Sequence, residues 1–228
     1  MTIARQVAST VAIHASPVQP RGLLAPRLTD APAFHLAIVL TPGFALMSFA
    51  SVVEPARGAN RVSGRRYYDW ALYSTHGGEV ESNSGITVRT RPLADLDSVG
   101  IDFAVICAAS KAEQIVDPEL EAALRRLTRH GVAIGAVSTA SFILARAGLL
   151  DGRRCTLHWD YLEAFREAFP EVETSEELYV IDDGVVTCAG ATAALDMMLE
   201  LIRGHHGDRK STRLNSSHIQ KSRMPSSA

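Results

Sequence analysis

The chain has 228 residues, 46% hydrophobic and 21% charged, with a formal net charge of −2 and a mean hydropathy of +0.05. Those values suit one ordinary soluble domain with flanking segments. The longest apolar runs, Gly131–Val137 and Phe103–Ala109, are far too short to cross a bilayer, so a membrane-embedded chain is excluded as an expectation. Three cysteines at irregular spacing, Cys107, Cys155 and Cys188, form neither a disulfide ladder nor a paired metal-ligand motif. The expected setting is therefore reducing and cytoplasmic. Neither a P-loop nor a G-x-G-x-x-G pattern is present, and no His/Cys/Asp/Glu cluster has metal-ligand spacing, so no cofactor is expected.

Residues 1–33 are rich in Ala, Pro and Ser, with Pro17, Pro20, Pro26 and Pro32 interrupting any helix. They read as a mobile leader or the product of an early start codon, and they lack the continuous apolar core of a signal peptide. The ordered domain, 34–207, opens on the buried-strand run His35–Leu40. Pro42-Gly43 turns the chain into a helix over Leu46–Asn60, which Pro55 is expected to kink or end. Tyr67–Ser74 is a second strand, and Glu79–Val88 reads as an irregular hairpin around Gly85. Asp102–Cys107 is a further buried strand. The helix after it is capped by Asp117, opens with Pro118, and ends at Gly131 after Arg125, Arg126, Arg129 and His130. Val132–Val137 is the next strand and runs straight into a helix over Thr139–Ala147, closed by Gly148. A helix over Trp159–Phe169, a hairpin near Leu178–Cys188 and a last helix over Thr192–Arg203 complete the domain. Met197 and Met198 on that helix suit core or dimer packing. From Asp208 onward the chain is polar and aperiodic. DRKSTRLNSSH and SRMPSSA resemble in-frame translations of a sequencing-library adaptor, so 208–228 is expected to be a non-native tail. Without it five basic residues and one acidic residue go and the net charge falls to −6, poorly suited to a phosphate backbone.

Short apolar strands alternating with amphipathic helices indicate an α/β fold, a flavodoxin-like doubly wound, mostly parallel sheet between helices. Ligands in such sheets sit beyond the carboxyl ends of the strands, at the switch point. The exits after Leu40, Cys107 and Val137 are the informative ones. At Gly135-Ala136-Val137-Ser138-Thr139-Ala140 a strand meets a helix without a connecting loop, the geometry of a nucleophile elbow. Ser138 there reads as a helix cap, as a cap that also touches a ligand, or as a nucleophile. Cys107 reads as a small hydrophobe or, less simply, a redox group.

The run AVSTASFILARAGLLDGRRCTLHW, Ala136 to Trp159, resembles the signature stretch of GlxA-type transcription regulators. FHLAIVLTPGFALMSFASVVEPARGANR resembles their opening and CAGATAALDMMLELI their closing segment. These regulators join a PfpI-like, class I glutamine amidotransferase-like domain to an AraC-type helix-turn-helix domain. The resemblance implies a ligand-sensing domain for a small, nitrogenous metabolite, acting as a homodimer, with DNA contacted only through a C-terminal domain missing here. In catalytic relatives the elbow residue is a cysteine, helped by a glutamate and a histidine. The matching positions are Ser138, Glu54 and His158, and the bland alternatives are a solvated Glu54 and a His158 donating to backbone. A Gly-Gly pair often follows the third strand in the family, where this chain has Ala108 and Ala109. With Thr139 these residues make the expected ligand-binding set. Replacing sulfur by hydroxyl removes the easy nucleophile, so the domain is expected not to be an enzyme. The alternative is a free-standing PfpI-like amidase, hydratase or glyoxalase-type enzyme working through Ser138.

Overall fold

The computed structural model describes residues 22–27, 31–98, 100–109 and 111–207. Most of the expected leader and the whole of the expected adaptor-like tail lie outside the described residues.

The element order alternates as the apolar pattern requires. β1 (Phe34–Leu40) leads into α1 (Leu46–Ser63), and β2 (Tyr68–Ser74) into the hairpin β3 (His76–Glu81) and β4 (Thr87–Pro92). β5 (Phe103–Cys107) is followed by α2 (Pro118–Arg129), and β6 (Ala133–Val137) by a 3-10 turn at Ser138–Ala140 and α3 (Ser141–Arg146). The remainder is β7 (Arg154–Cys155), a 3-10 turn at Trp159–Tyr161, α4 (Leu162–Ala168), β8 (Glu173–Thr174), β9 (Tyr179–Asp182), β10 (Val185–Cys188) and α5 (Ala193–His206). The main sheet has the order β3-β4-β2-β1-β5-β6-β10-β9, and β7 pairs with β8 apart from it. Its central strands are parallel, while β3 and β9 join antiparallel at the two ends. Among the described residues no helix is long and apolar enough to cross a membrane.

Because the chain leaves β1 first toward β2 and later toward β5, the winding reverses between β1 and β5. That reversal opens a crevice at the carboxyl edge. The register there is level: Leu40 pairs with Cys107, Cys107 with Val137, and Val137 with Cys188. All four are buried on the face covered by α1 and α5. The opposite face packs under α2, α3 and α4, with Phe142 edge-on to Phe165 at 5.0 Å.

Four local features differ from the sequence reading. Pro55 neither ends nor breaks α1, which continues to Ser63 with the proline ring buried. Burial of the ring against the core offsets the single backbone bond it cannot donate. The strand at Val137 does not pass directly into an α-helix; a tighter 3-10 turn intervenes. The helix expected from Trp159 likewise begins as a 3-10 turn before α4. Finally, Gly22–Arg27, within the stretch read as leader, lies against the end of α5. Leu23 is buried, and the N–H of Arg27 donates to the His205 carbonyl at 3.0 Å.

Candidate functional site

The elbow is built by backbone conformation. Ser138 has φ +65°, in the left-handed region where an L side chain crowds its own carbonyl. Gly190, at φ +94°, makes that conformation possible: a Cβ placed on it would lie 2.8 Å from Cβ of Ser138 and 3.1 Å from its Oγ. Gly190 therefore has no side chain because the Ser138 elbow approaches it closely. Removing the Cβ should relax the elbow. Ser138→Gly is expected to raise the unfolding free energy by about 1 kcal/mol in a urea titration, and an unchanged or lower midpoint would contradict the strain.

Ser138 is 5% exposed. Neither the 3-10 turn it opens nor α3 carries a side-chain cap, so its hydroxyl is not spent on capping. No described imidazole or carboxylate hydrogen-bonds its Oγ. Thr139, also buried, donates its hydroxyl to the Ala109 carbonyl, tying the elbow to the exit of β5, where Ala108 and Ala109 are buried. His158 meets the elbow through its backbone, its N–H donating to the Ser138 carbonyl at 3.2 Å. Its ring is about one-third exposed, stacks against Trp159 at 5.7 Å, and accepts the Asp160 N–H at 3.4 Å through Nδ1. The structure thus brings Ser138, Thr139, Ala108, Ala109 and His158 together.

Glu54 does not join them. It occupies the outer face of α1, about half exposed, with both carboxylate oxygens held by Arg57. Side chains four residues apart share a helix face, and the buried set on α1 runs Ser48, Val52, Ala56 and Ala59. Glu54, two positions beyond Val52, points away from the sheet. The residue that α1 does bring to the elbow loop is Ser48, fully buried, whose Oγ accepts the Ala191 N–H at 2.8 Å. Sequence reasoning missed Ser48, although the spacing from Val52 and Ala56 was enough to find it.

Cys188 lies just beneath. Burial pushes its thiol up to about 12, against the smaller opposing effect of backbone hydrogen bonds from Gly190 and Ser138. Burial raises the Cys107 thiol as well, and Cys155 to about 12. A thiol so far from ionisation is a small apolar filler at neutral pH, which is the reading the structure supports for Cys107. Among the described residues no group of three His, Cys, Asp or Glu could hold a metal ion.

Two cavities open on this edge. One of about 770 Å3 lies at the ends of β1 and β2, with Thr41, Thr75, Glu79 and Asp117 among its walls. Another of about 640 Å3 lies under Trp159, Leu178 and Ala189. A third of about 660 Å3, lined by Arg27, Phe34, Asp102 and His205, sits at the opposite, amino-terminal edge.

Comparison with known proteins agrees with this architecture. The HTH-type transcriptional regulator CdhR of Pseudomonas aeruginosa is 42% identical over 169 residues, covering 74% of this chain and 50% of the relative. The HTH-type transcriptional regulator GlxA of Rhizobium meliloti is 40% identical over 171 residues, covering 74% and 52%. The chain therefore spans about half the length of the curated relatives it matches. A crystal structure of an AraC family transcriptional regulator from Pseudomonas putida superposes with a TM-score of 0.74 at 24% identity, covering 81% of this chain and 99% of that one, a likeness of fold. Residues 36–204 match the DJ-1/PfpI family model, and the chain belongs to the DJ-1/PfpI family.

Proposed function

We propose that residues 34–207 form the effector-sensing domain of a transcription regulator, which contacts DNA through an AraC-type helix-turn-helix domain outside this chain. One observation carries the reading: the left-handed elbow is retained, but it presents the hydroxyl of Ser138 with no described base hydrogen-bonded to it. A serine without a base is a poor nucleophile, whereas a fixed hydroxyl among small residues is a suitable recognition group. The regulator relatives support the same conclusion. The effector would meet Ser138, Thr139, Ala108, Ala109 and the rim at His158, and its class, a small nitrogenous metabolite, follows the family likeness. Ser138 is nearly covered, so entry requires the Gly190 loop or the His158 rim to move. A homodimer fits the apolar surface left on neighbouring segments, Met47 at 61% and Ile86 at 52% exposed.

The test is a thermal-shift screen of the chain against amino acids, amines and betaines. An effector at a hundred times its Kd adds about 2.7 kcal/mol, which for a domain of this size raises Tm by about 5–10 °C. Ser138→Ala, which deletes the recognising hydroxyl without adding bulk beside Gly190, should remove most of the gain. If no compound shifts Tm, and the chain hydrolyses amides or converts glyoxals at a rate lost in Ser138→Ala, the domain is the PfpI-like enzyme instead.

A further inference from the structure

The loop that opens α5 touches the elbow, and the helix's far end reaches the amino-terminal edge of the sheet. At its start, Gly190 lies against Ser138, closer than a Cβ would allow, and the Ala191 N–H donates to Ser48. Ala191 itself sits at φ +48°, a second non-glycine residue held in the left-handed region by these contacts. At its end, His205 is buried between two partners: its Nδ1 faces the Tyr68 hydroxyl at 2.9 Å and its Nε2 the Leu23 carbonyl at 2.7 Å. The His205 ring packs on Phe34 at 4.7 Å, and the Arg27 N–H returns to the His205 carbonyl. Gly204 allows the backbone at Leu24 to lie close, since a Cβ there would meet the Leu24 carbonyl oxygen at 2.7 Å. Between these ends Ala194, Met197, Met198, Leu201 and Ile202 are buried, so the helix is packed along its length and cannot bend freely.

The geometry points to α5 as the rod that carries occupancy of the elbow to the opposite edge: displacing Gly190 shifts the helix along its axis, and the shift is read at the His205 latch, where the Leu23–Arg27 segment is held or released. This rests on the sensor reading and supplies its mechanism, since a signal leaving the elbow must reach a domain joined elsewhere. A closely packed element with contacts at both ends has few intermediate positions, which suits it to two discrete settings. The cavity of about 660 Å3 beside the latch gives the released segment and the His205 end room to move.

The experiment needs neither effector nor DNA. Amide hydrogen exchange is measured on the chain and on Gly190→Ala, which forces a methyl against Ser138. Exchange of the Arg27 amide, whose acceptor is the His205 carbonyl, is expected to rise about tenfold relative to wild type. Ser48→Ala, milder because it removes only one hydrogen bond, should move the same amide in the same direction and serves if Gly190→Ala does not fold. Phe165→Leu, buried on the opposite face of the sheet, is the control and should leave the Arg27 amide unchanged. Changes confined to 188–192, or an equal rise in the control, would overturn the proposal. Either result leaves the sensor reading to be judged by the thermal-shift screen alone.

Discussion

Replacing Gly135 by valine is expected to lower the unfolding free energy by about 3 kcal/mol. Gly135 is in the middle of β6 and pairs with Val105 of β5. Even a single Cβ on it would lie 2.5 Å from the Phe103 ring and 3.1 Å from a Val105 methyl group. Both neighbours are fully buried, so neither ring nor methyl has free space to retreat into. Relief must come from displacing β6 from β5, and β6 leads directly into Ser138. The substitution should therefore lower the urea midpoint and also weaken any effector that uses the elbow. A midpoint within about 0.5 kcal/mol of wild type would mean that the sheet yields more easily than close packing allows.

Acidification should destabilise the domain through His205. Burial is the main cause holding this imidazole down to about 4; the nearby Arg27 charge adds to it, and the hydrogen bond to Leu23 opposes it. The hydrogen bonds fix which tautomer the neutral ring adopts. A carbonyl can only accept, so Nε2 carries the proton donated to Leu23, and the bare Nδ1 accepts from the Tyr68 hydroxyl. Protonation would place a donor where Tyr68 already donates. The folded pKa lies below the unfolded value, so between about 6.5 and 4 the unfolded chain binds the extra proton. The stabilisation is complete above that window and is lost as pH falls through it, by about 3 kcal/mol in all. Urea midpoints measured at pH 7 and pH 4.5 should differ accordingly, and His205→Gln should remove most of the difference. Burial raises the Asp69 carboxyl, but the combined pull of Arg66, the Trp70 N–H and His35 lowers it on balance, away from this window. A wild-type midpoint that is flat from pH 7 to pH 4.5 would show that the native state takes up the His205 proton as readily as the unfolded chain does.

The sheet was legible because its strands are short apolar runs bounded by strong punctuation. Asp117 accepts the Leu120 N–H with Pro118 first in α2, as the capping chemistry demanded, and Gly131 and Gly148 close their helices at positive φ. Pro55 misled because backbone rules weigh a missing N–H but not the surface its ring buries. The two-residue strands β7 and β8 are too short to carry any periodicity. The elbow was readable from the strand-to-helix junction, yet its second wall was not. Ser138 and Gly190 are 52 positions apart, and only the parallel pairing of β6 with β10 brings their exits together. Glu54 illustrates the opposite error, in which a motif match outweighed the helix period that already turned its side chain outward.

The interior placement of Cys107, Cys155 and Cys188 has a bearing on oxidative stress. Peroxide reacts with thiolates, and the folded domain offers it none: the elbow oxygen cannot climb the sulfenic-to-sulfonic ladder, and each sulfur is shielded and protonated. Thiol sulfur becomes available only when the chain opens, so thiol oxidation falls on unfolded molecules. If the elbow binds an effector as proposed, that binding would not depend on the redox state of any thiol in the folded domain.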